Sequence, residues 1–369
     1  MKKLFSTLLV VLIFTTAIFA QKAGNEKLFK DSHIKKTMKK ALDWQLKNPK
    51  HKLTDWTNGA FYAGVFAAYE TTGSKKIWKA MYEMGDANEW KAGPRLHHAD
   101  DHVICQTYID MYRISGEKKM IQPFTETMDE FLATPYETDE KNRKCTWWWC
   151  DALFMGPAAM VKLSVTLGDN KYMKKSDELF KECYDLLYDK GEDLYFRDIR
   201  YKWDEPGVEV IKENNGEKIF WSRGNGWVMG GLVRILKELP KDNPTRDFYI
   251  QNYKEMAEKI ISIQQEDGLW RSSLLDPEFY PGGEASGSGF YTYALAWGIN
   301  NGMLDKAKYL PVVEKAWVGM NSLIQSDGHV GWCQPIGADP KKNFAADSWE
   351  VYGTGAYLLA GSEVIKLDK

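Results

Sequence analysis

The chain has 369 residues, of which 27% are charged, and a formal net charge of −2. That balance supplies neither the basic surface that nucleic acid requires nor the polybasic patch that draws a protein to an anionic membrane. Its 15 Trp, 19 Tyr and 16 Phe are enough to fill a wide core and also to line a groove against sugar rings.

Residues 1–20 read as a secretory signal peptide. Lys2 and Lys3 precede an apolar run from Leu4 to Phe19, and the small Ala20 stands before Gln21. The run is too short and wrongly flanked to span a bilayer, and no Cys follows Ala20 to take a lipid anchor. Residues 21–369 are therefore expected outside the cytoplasm, secreted or periplasmic, without membrane insertion. No Gly/Ser-rich or Pro-rich linker divides them, so a single domain is expected. Five Cys with no CxxC pair argue against both a disulfide framework and a zinc site.

Along the mature chain, six segments combine small and aromatic residues with almost no charge. They begin at Asn58, Asp101, Asp151, Gly224, Gly287 and Gly353. A helix apolar on every side is buried on every side. Between these segments lie amphipathic, charge-bearing stretches: Ile34–Leu46, Lys76–Trp90, Met120–Ala133, Tyr172–Tyr188, Phe248–Gln264 and Leu310–Ile324. In Tyr172–Tyr188 the apolar Leu179, Cys183 and Leu186 recur at three- to four-residue spacing, which gives one wet face. Six buried helices alternating with six half-wet ones predict an all-α (α/α)6 barrel, a six-hairpin toroid around a central cavity. The Asp267-Gly268 and Asp327-Gly328 pairs favour tight turns, and short loops or hairpins are expected to crowd one mouth.

The chemistry concentrates in that mouth. Asp151 follows Trp147-Trp148-Trp149-Cys150 and precedes an apolar run. A carboxylate among large aromatics costs several kcal/mol unless it is paired or used; an Asp before an apolar segment is also a common helix cap. Both readings stand. Asp101 opens the second inner segment as Asp151 opens the third, so the two are candidate acid/base partners or two separate caps. His97, His98 and His102 lack the spacing of a helical zinc pair, and His98 is expected to hydrogen-bond at the rim. Arg223 sits in a Gly turn between Trp221 and Trp227, which suits an anionic sugar, or else a structural ion pair inside two core indoles. Glu284-x-x-Gly287-x-Gly289 and Glu350-x-x-Gly353-x-Gly355 follow no strand and lack the Lys of a phosphate loop, so they read as structural helix starts.

Taken together, Asp151-Ala-Leu-Phe-Met-Gly-Pro157 and Trp221-Ser-Arg-Gly-Asn-Gly-Trp227 resemble the unsaturated glucuronyl and rhamnogalacturonyl hydrolases of glycoside hydrolase families 88 and 105. The resemblance covers nearly the whole mature chain, and Asp101 fits the family's other acidic position. It implies removal of a 4,5-unsaturated uronic acid from the non-reducing end of lyase-generated oligosaccharides by hydration of a vinyl ether. Asp151 would protonate C4 and act as base toward the water that adds at C5, with Asp101 supporting it. Trp221, Arg223 and Trp227 would hold the ring and its carboxylate, with His98 and Trp149 beside them. No metal or organic cofactor is implied, and the protein is expected to act as a monomer or homodimer on a soluble oligosaccharide.

One departure stands out. Where rhamnogalacturonyl members tend to carry a His-containing motif, this chain has Leu194-Tyr-Phe-Arg197-Asp198. That change suggests a sulfated, rhamnose-containing glycan such as ulvan, with Arg197 or Arg200 meeting a sulfate, alongside rhamnogalacturonan. The competing readings are an ordinary inverting glycosidase or a polysaccharide lyase on the same fold, or a non-catalytic periplasmic carbohydrate-binding protein. The binding protein would keep Trp221 and Trp227 but would not need Asp151.

Overall fold

The structure, a computed structural model, describes residues 25–136 and 145–367; the proposed signal peptide lies outside them. Among the described residues from Asp31 onward, thirteen α-helices follow in order: α1 Asp31–Lys47, α2 Trp56–Thr72, α3 Lys75–Ala87, α4 Ala99–His102, α5 Cys105–Ser115, α6 Gln122–Ala133, α7 Ala152–Leu167, α8 Lys171–Leu187, α9 Ser222–Glu238, α10 Arg246–Ser262, α11 Ala285–Asn300, α12 Lys306–Ser322 and α13 Val351–Val364.

Burial sorts them as the charge pattern predicts. Helix α2 is buried continuously from Thr57 to Ala68, and α11 from Ala285 to Gly298. Outer helix α8 buries only Tyr172, Met173, Ser176, Leu179, Phe180, Cys183 and Leu187. The inner ring runs α2, α4/α5, α7, α9, α11, α13 and closes where α13 packs back on α2. Outer helices α1, α3, α8, α10 and α12 back their inner neighbours. This is the expected (α/α)6 toroid. The second inner station differs in being two helices, α4 and α5, separated by Val103 and Ile104.

Close approach needs glycine at two seams. A Cβ on Gly64 would stand 2.3 Å from the Gly355 carbonyl oxygen, so α2 and α13 touch through backbone. At the α7–α9 seam a Cβ on Gly231 would lie 2.2 Å from the carbonyl oxygen of Leu153. That carbonyl stands four residues before Pro157, which has no N–H to offer it.

Each hairpin returns the chain to the same end, so the six inner N-termini gather at one mouth. The connections there include a short hairpin, β1 Tyr188–Asp189 against β2 Leu194–Tyr195. The Asp-Gly pairs form tight turns, with Gly268 at φ 83° and Gly328 at φ 113°. All five cysteines are buried free thiols. No helix among the described residues is long and apolar enough to cross a membrane.

Candidate active site

Four of the six inner stations begin at an acid and a fifth, α4, carries Asp100 and Asp101 in its first turn, as the positive ends of the helix dipoles favour. What each carboxylate binds tells them apart. Asp55 caps α2, accepting from Thr57 N at 2.9 Å. Glu284 caps α11, accepting from Gly287 N at 2.7 Å and Ser286 N at 3.1 Å. Glu350 takes Lys50 at 2.7 Å and His51 at 2.8 Å. These acids are structurally occupied, which agrees with the helix-start reading of the two Glu-x-x-Gly-x-Gly segments.

Asp151 occupies the N-cap position of α7, yet its side chain makes no capping bond. Its carboxylate meets Arg197 Nε at 3.4 Å and Cys150 Sγ at 3.6 Å, and only 12% of the side chain is exposed. The cap reading therefore holds for the position of Asp151 and not for its carboxylate.

The adjacent acids of α4, Asp100 and the Asp101 expected beside Asp151, have different surroundings. Asp101 is clamped by Arg95: Oδ2 accepts from the Arg95 backbone N–H at 2.6 Å, and Oδ1 accepts from Nη2 at 2.6 Å. Asp100 is instead the acid coupled to Asp151. Burial and the charge of Asp151 push its carboxyl up to about 7, outweighing Arg95 and Arg197, which pull it down. Its nearest recorded partner is His98, with Nδ1 3.7 Å away. Nothing in the Asp-Asp doublet said which member faces inward, because a four-residue helix has no periodicity to read.

The three indoles before Asp151 have three fates. Trp147 is fully buried and donates through Nε1 to the His97 carbonyl at 3.2 Å. Trp148 lies under the Arg197 guanidinium at 5.7 Å. Trp149 packs its ring on His98, with centroids 4.5 Å apart. Beside them opens a cavity of about 340 Å³ lined by Arg95, Leu96, His98, Tyr136, Trp148 and Trp149 among others. His97 also lines this cavity, whereas His102 stands apart from it. His102 is fully buried and bonded to the Leu96 carbonyl at 2.8 Å, and burial pushes it down to about 4. Among the described residues no group of three or more His, Cys, Asp or Glu is arranged to hold a metal.

The Arg223 turn is built differently from expectation. Its guanidinium is sandwiched between Trp221 at 4.3 Å and Tyr352 at 4.8 Å, not between Trp221 and Trp227. Nη1 and Nη2 donate to the carbonyls of Gln334 and Pro335 at 2.8 and 2.9 Å, so both forks are engaged by backbone and not by a structural Asp. Trp227 packs on Phe290 at 4.4 Å, Phe154 at 4.9 Å and, edge-on, Trp56 at 6.0 Å. Three buried donors at the start of α9 have no hydrogen-bond acceptor among the described residues: Arg223 Nε, Trp227 Nε1 and Ser222 Oγ. Buried donors are rarely left so, and an acceptor-rich ligand is the kind of molecule that would engage them. Tyr352 was missed because its segment read only as a helix start. Arg95 was missed because nothing in its spacing links it to Asp101.

Comparison with known proteins adds to this geometry. The sequence profile described as Glycosyl Hydrolase Family 88 matches residues 27–368. A protein of Formosa agariphila described as an unsaturated 3S-rhamnoglycuronyl hydrolase is 44% identical over 95% of this chain and 94% of its own length. A solved glycosyl hydrolase family 88 structure from Bacteroides vulgatus superposes with a TM-score of 0.83 at 31% identity, covering 92% of this chain and 100% of that one. A solved structure described as a polysaccharide lyase superposes with a TM-score of 0.81 at 34% identity, over 91% of this chain and 97% of that one.

Proposed function

Since the chain belongs to glycosyl hydrolase family 88, we infer that it is a glycosidase that removes the 4,5-unsaturated uronic acid from lyase-generated oligosaccharides. The observation that carries the reading at residue level is the Asp151 carboxylate, which stands at an inner-helix start, caps nothing and lies 3.4 Å from Arg197 Nε. A vinyl ether needs one proton delivered to C4 and one removed from the water that adds at C5. Carboxylates placed at the mouth are groups that can meet both needs. Water addition gives a hemiketal at C5, whose opening to the ketone leaves a hemiacetal at C1 that expels the aglycone. The chain's residues suffice for this sequence.

Around these carboxylates, the Arg223 turn supplies a rigid aromatic wall, and His98, Trp148 and Trp149 bound the adjoining cavity. We assign that cavity to the sugar following the unsaturated ring. The relative from Formosa agariphila, described as acting on a 3S-rhamnoglycuronyl bond, supports a rhamnose-containing parent glycan of the ulvan or rhamnogalacturonan kind. Arg95 and Arg200, with side chains 55% and 59% exposed, are the cations we assign to a sulfate there. Residues 1–20 support delivery to the periplasm or medium, where lyase products accumulate, and the protein acts as a monomer or homodimer.

The C4=C5 chromophore gives the test. Incubated with unsaturated uronyl oligosaccharides, the protein should bleach their ultraviolet absorbance, and Asp151→Asn should bleach it roughly 10³-fold more slowly, the scale of a lost acid/base group. A lyase would raise the absorbance, and a binding protein would leave it unchanged.

A further inference from the structure

Arg223 is a cation without an acid. It is fully buried, and no carboxylate among the described residues lies within ion-pair distance of it. Its forks go instead to the carbonyls of Gln334 and Pro335, and its plane lies between Trp221 and Tyr352. Burying an unpaired charge is costly. The groups that hold the guanidinium in that stack are therefore of interest.

One residue bonds to all three layers. Gln334 is fully buried. Its carbonyl accepts from Arg223 Nη1 at 2.8 Å and from the Tyr352 hydroxyl at 2.7 Å. Its side-chain Oε1 accepts from Trp221 Nε1 at 3.2 Å and from the Ser272 hydroxyl. Nε2 donates to the Asp339 carbonyl at 2.7 Å, and the backbone N–H donates to Glu284 Oε1 at 3.2 Å. An indole N–H only donates and a backbone carbonyl only accepts, so these two contacts fix which way the amide faces. Ser272 Oγ accepts in turn from Lys341 N at 2.9 Å, which closes the neck of the loop 335–341. Gln334 thus ties the starts of α9, α11 and α13 to one loop.

We propose that Gln334 is a positioning residue for uronate recognition: it holds the Trp221–Arg223–Tyr352 stack so that the unpaired Arg223 charge serves the sugar carboxylate. This rests on the function proposed above and deepens it, since the motifs that carry the family resemblance do not include Gln334. A glutamine suits the place because its amide accepts and donates without bringing a charge that would neutralise Arg223. A glutamate could not donate to the Asp339 carbonyl. A methionine of similar length offers only a weak acceptor.

The position matters because a cation attracts an anion strongly only where water is kept away. Trp221 is 2% exposed and Tyr352 is fully buried, so both faces of the guanidinium are dry. An indole released from Oε1 is free to turn, and one of those faces then meets water. The attraction for a carboxylate weakens, while Asp151 is left as it was.

Gln334→Met tests this on an unsaturated uronyl disaccharide and on its methyl ester, which keeps the C4=C5 chromophore but carries no charge. Wild type should favour the acid over the ester roughly 10²-fold in kcat/KM, and the variant only roughly tenfold. The loss should lie in KM for the acid, about tenfold, with kcat within about threefold and the ester little changed. Trp221→Phe removes the indole N–H from the other side of the same bond, so the double variant should lose less than the sum of the single losses. Equal losses on acid and ester, or strictly additive losses, would overturn the proposal, because Gln334 would then support only the fold. A wild type that treats acid and ester alike would overturn it too. Calorimetric binding to the Asp151→Asn protein repeats the comparison without turnover. If wild type bleaches neither compound, while calorimetry still separates them and Gln334→Met narrows the gap, the proposed function falls and the positioning role stands.

Discussion

Asp100, Asp101 and Asp151 are chemically alike, and their different fates come from which cation reaches them. Arg95 neutralises Asp101, Arg197 stands by Asp151, and Asp100 is left to burial and its neighbour's charge. A stability prediction follows from the sign of that last effect. A carboxyl whose value is raised on folding, here from 3.8 to about 7, is penalised in the fold once ionised. Below about pH 4 it is protonated in both states and costs nothing; through the interval up to about 7 the penalty develops. Asp100→Asn should therefore melt higher than wild type at pH 8 and equal it near pH 4. Equal melting temperatures at both pH values would mean Asp100 is not strained by its site. The aromatic surroundings of Asp151 were legible in the sequence, whereas the different surroundings of Asp100 and Asp101 were not. Arg95 stands six residues before Asp101, beyond helical or strand periodicity, so the clamp that occupies Asp101 is visible only in three dimensions.

At the scale of elements, legibility was high because hydrophobic periodicity is a local signal with a global cause. A segment such as Gly353–Ala360 can be buried all round only at the centre of the ring, and Tyr172–Tyr188 can only lie outside it. What escaped was the interruption between α4 and α5, since Val103 and Ile104 continue the apolar pattern and keep right-handed helical backbone, with φ −61° and −63°. Tyr352 escaped likewise, as periodicity reports that a helix face is buried but not which cation it sandwiches. The ring's closure gives this scale its prediction. Gly64→Ala places a methyl group into the Gly355 carbonyl and should cost about 2 kcal/mol or more in chemical denaturation. Gly73→Ala, at φ 62° but with nothing within 4 Å, should cost about 1 kcal/mol from backbone conformation alone. Equal costs would show that the α2–α13 seam is looser than it is drawn here.

Across the whole molecule the two ends of the barrel do different work. Acids collect at the mouth. At the far end, the last turns of α5, α7 and α9 carry Arg113, Lys162, Arg234 and Lys237 toward Asp110, Glu238 and Glu363. Lys162 bonds Asp110 and lies 3.2 Å from Glu238, with only 7% of its side chain exposed. Lys162→Met should leave two buried carboxylates short of a partner and cost about 3 kcal/mol in denaturant unfolding. Its kcat per folded molecule should stay near wild type, because stability at this end is separate from chemistry at the other. A mutant that folds normally yet loses turnover would break that separation.

Turnover in D2O reports directly on the addition of water across C4=C5. The reaction should bleach the double-bond absorbance, release the aglycone and place deuterium at C4 of the former uronic acid, with Asp151→Asn doing none of these at a comparable rate. Release of the aglycone with the double bond intact and no deuterium at C4, or a rise in absorbance, would contradict it.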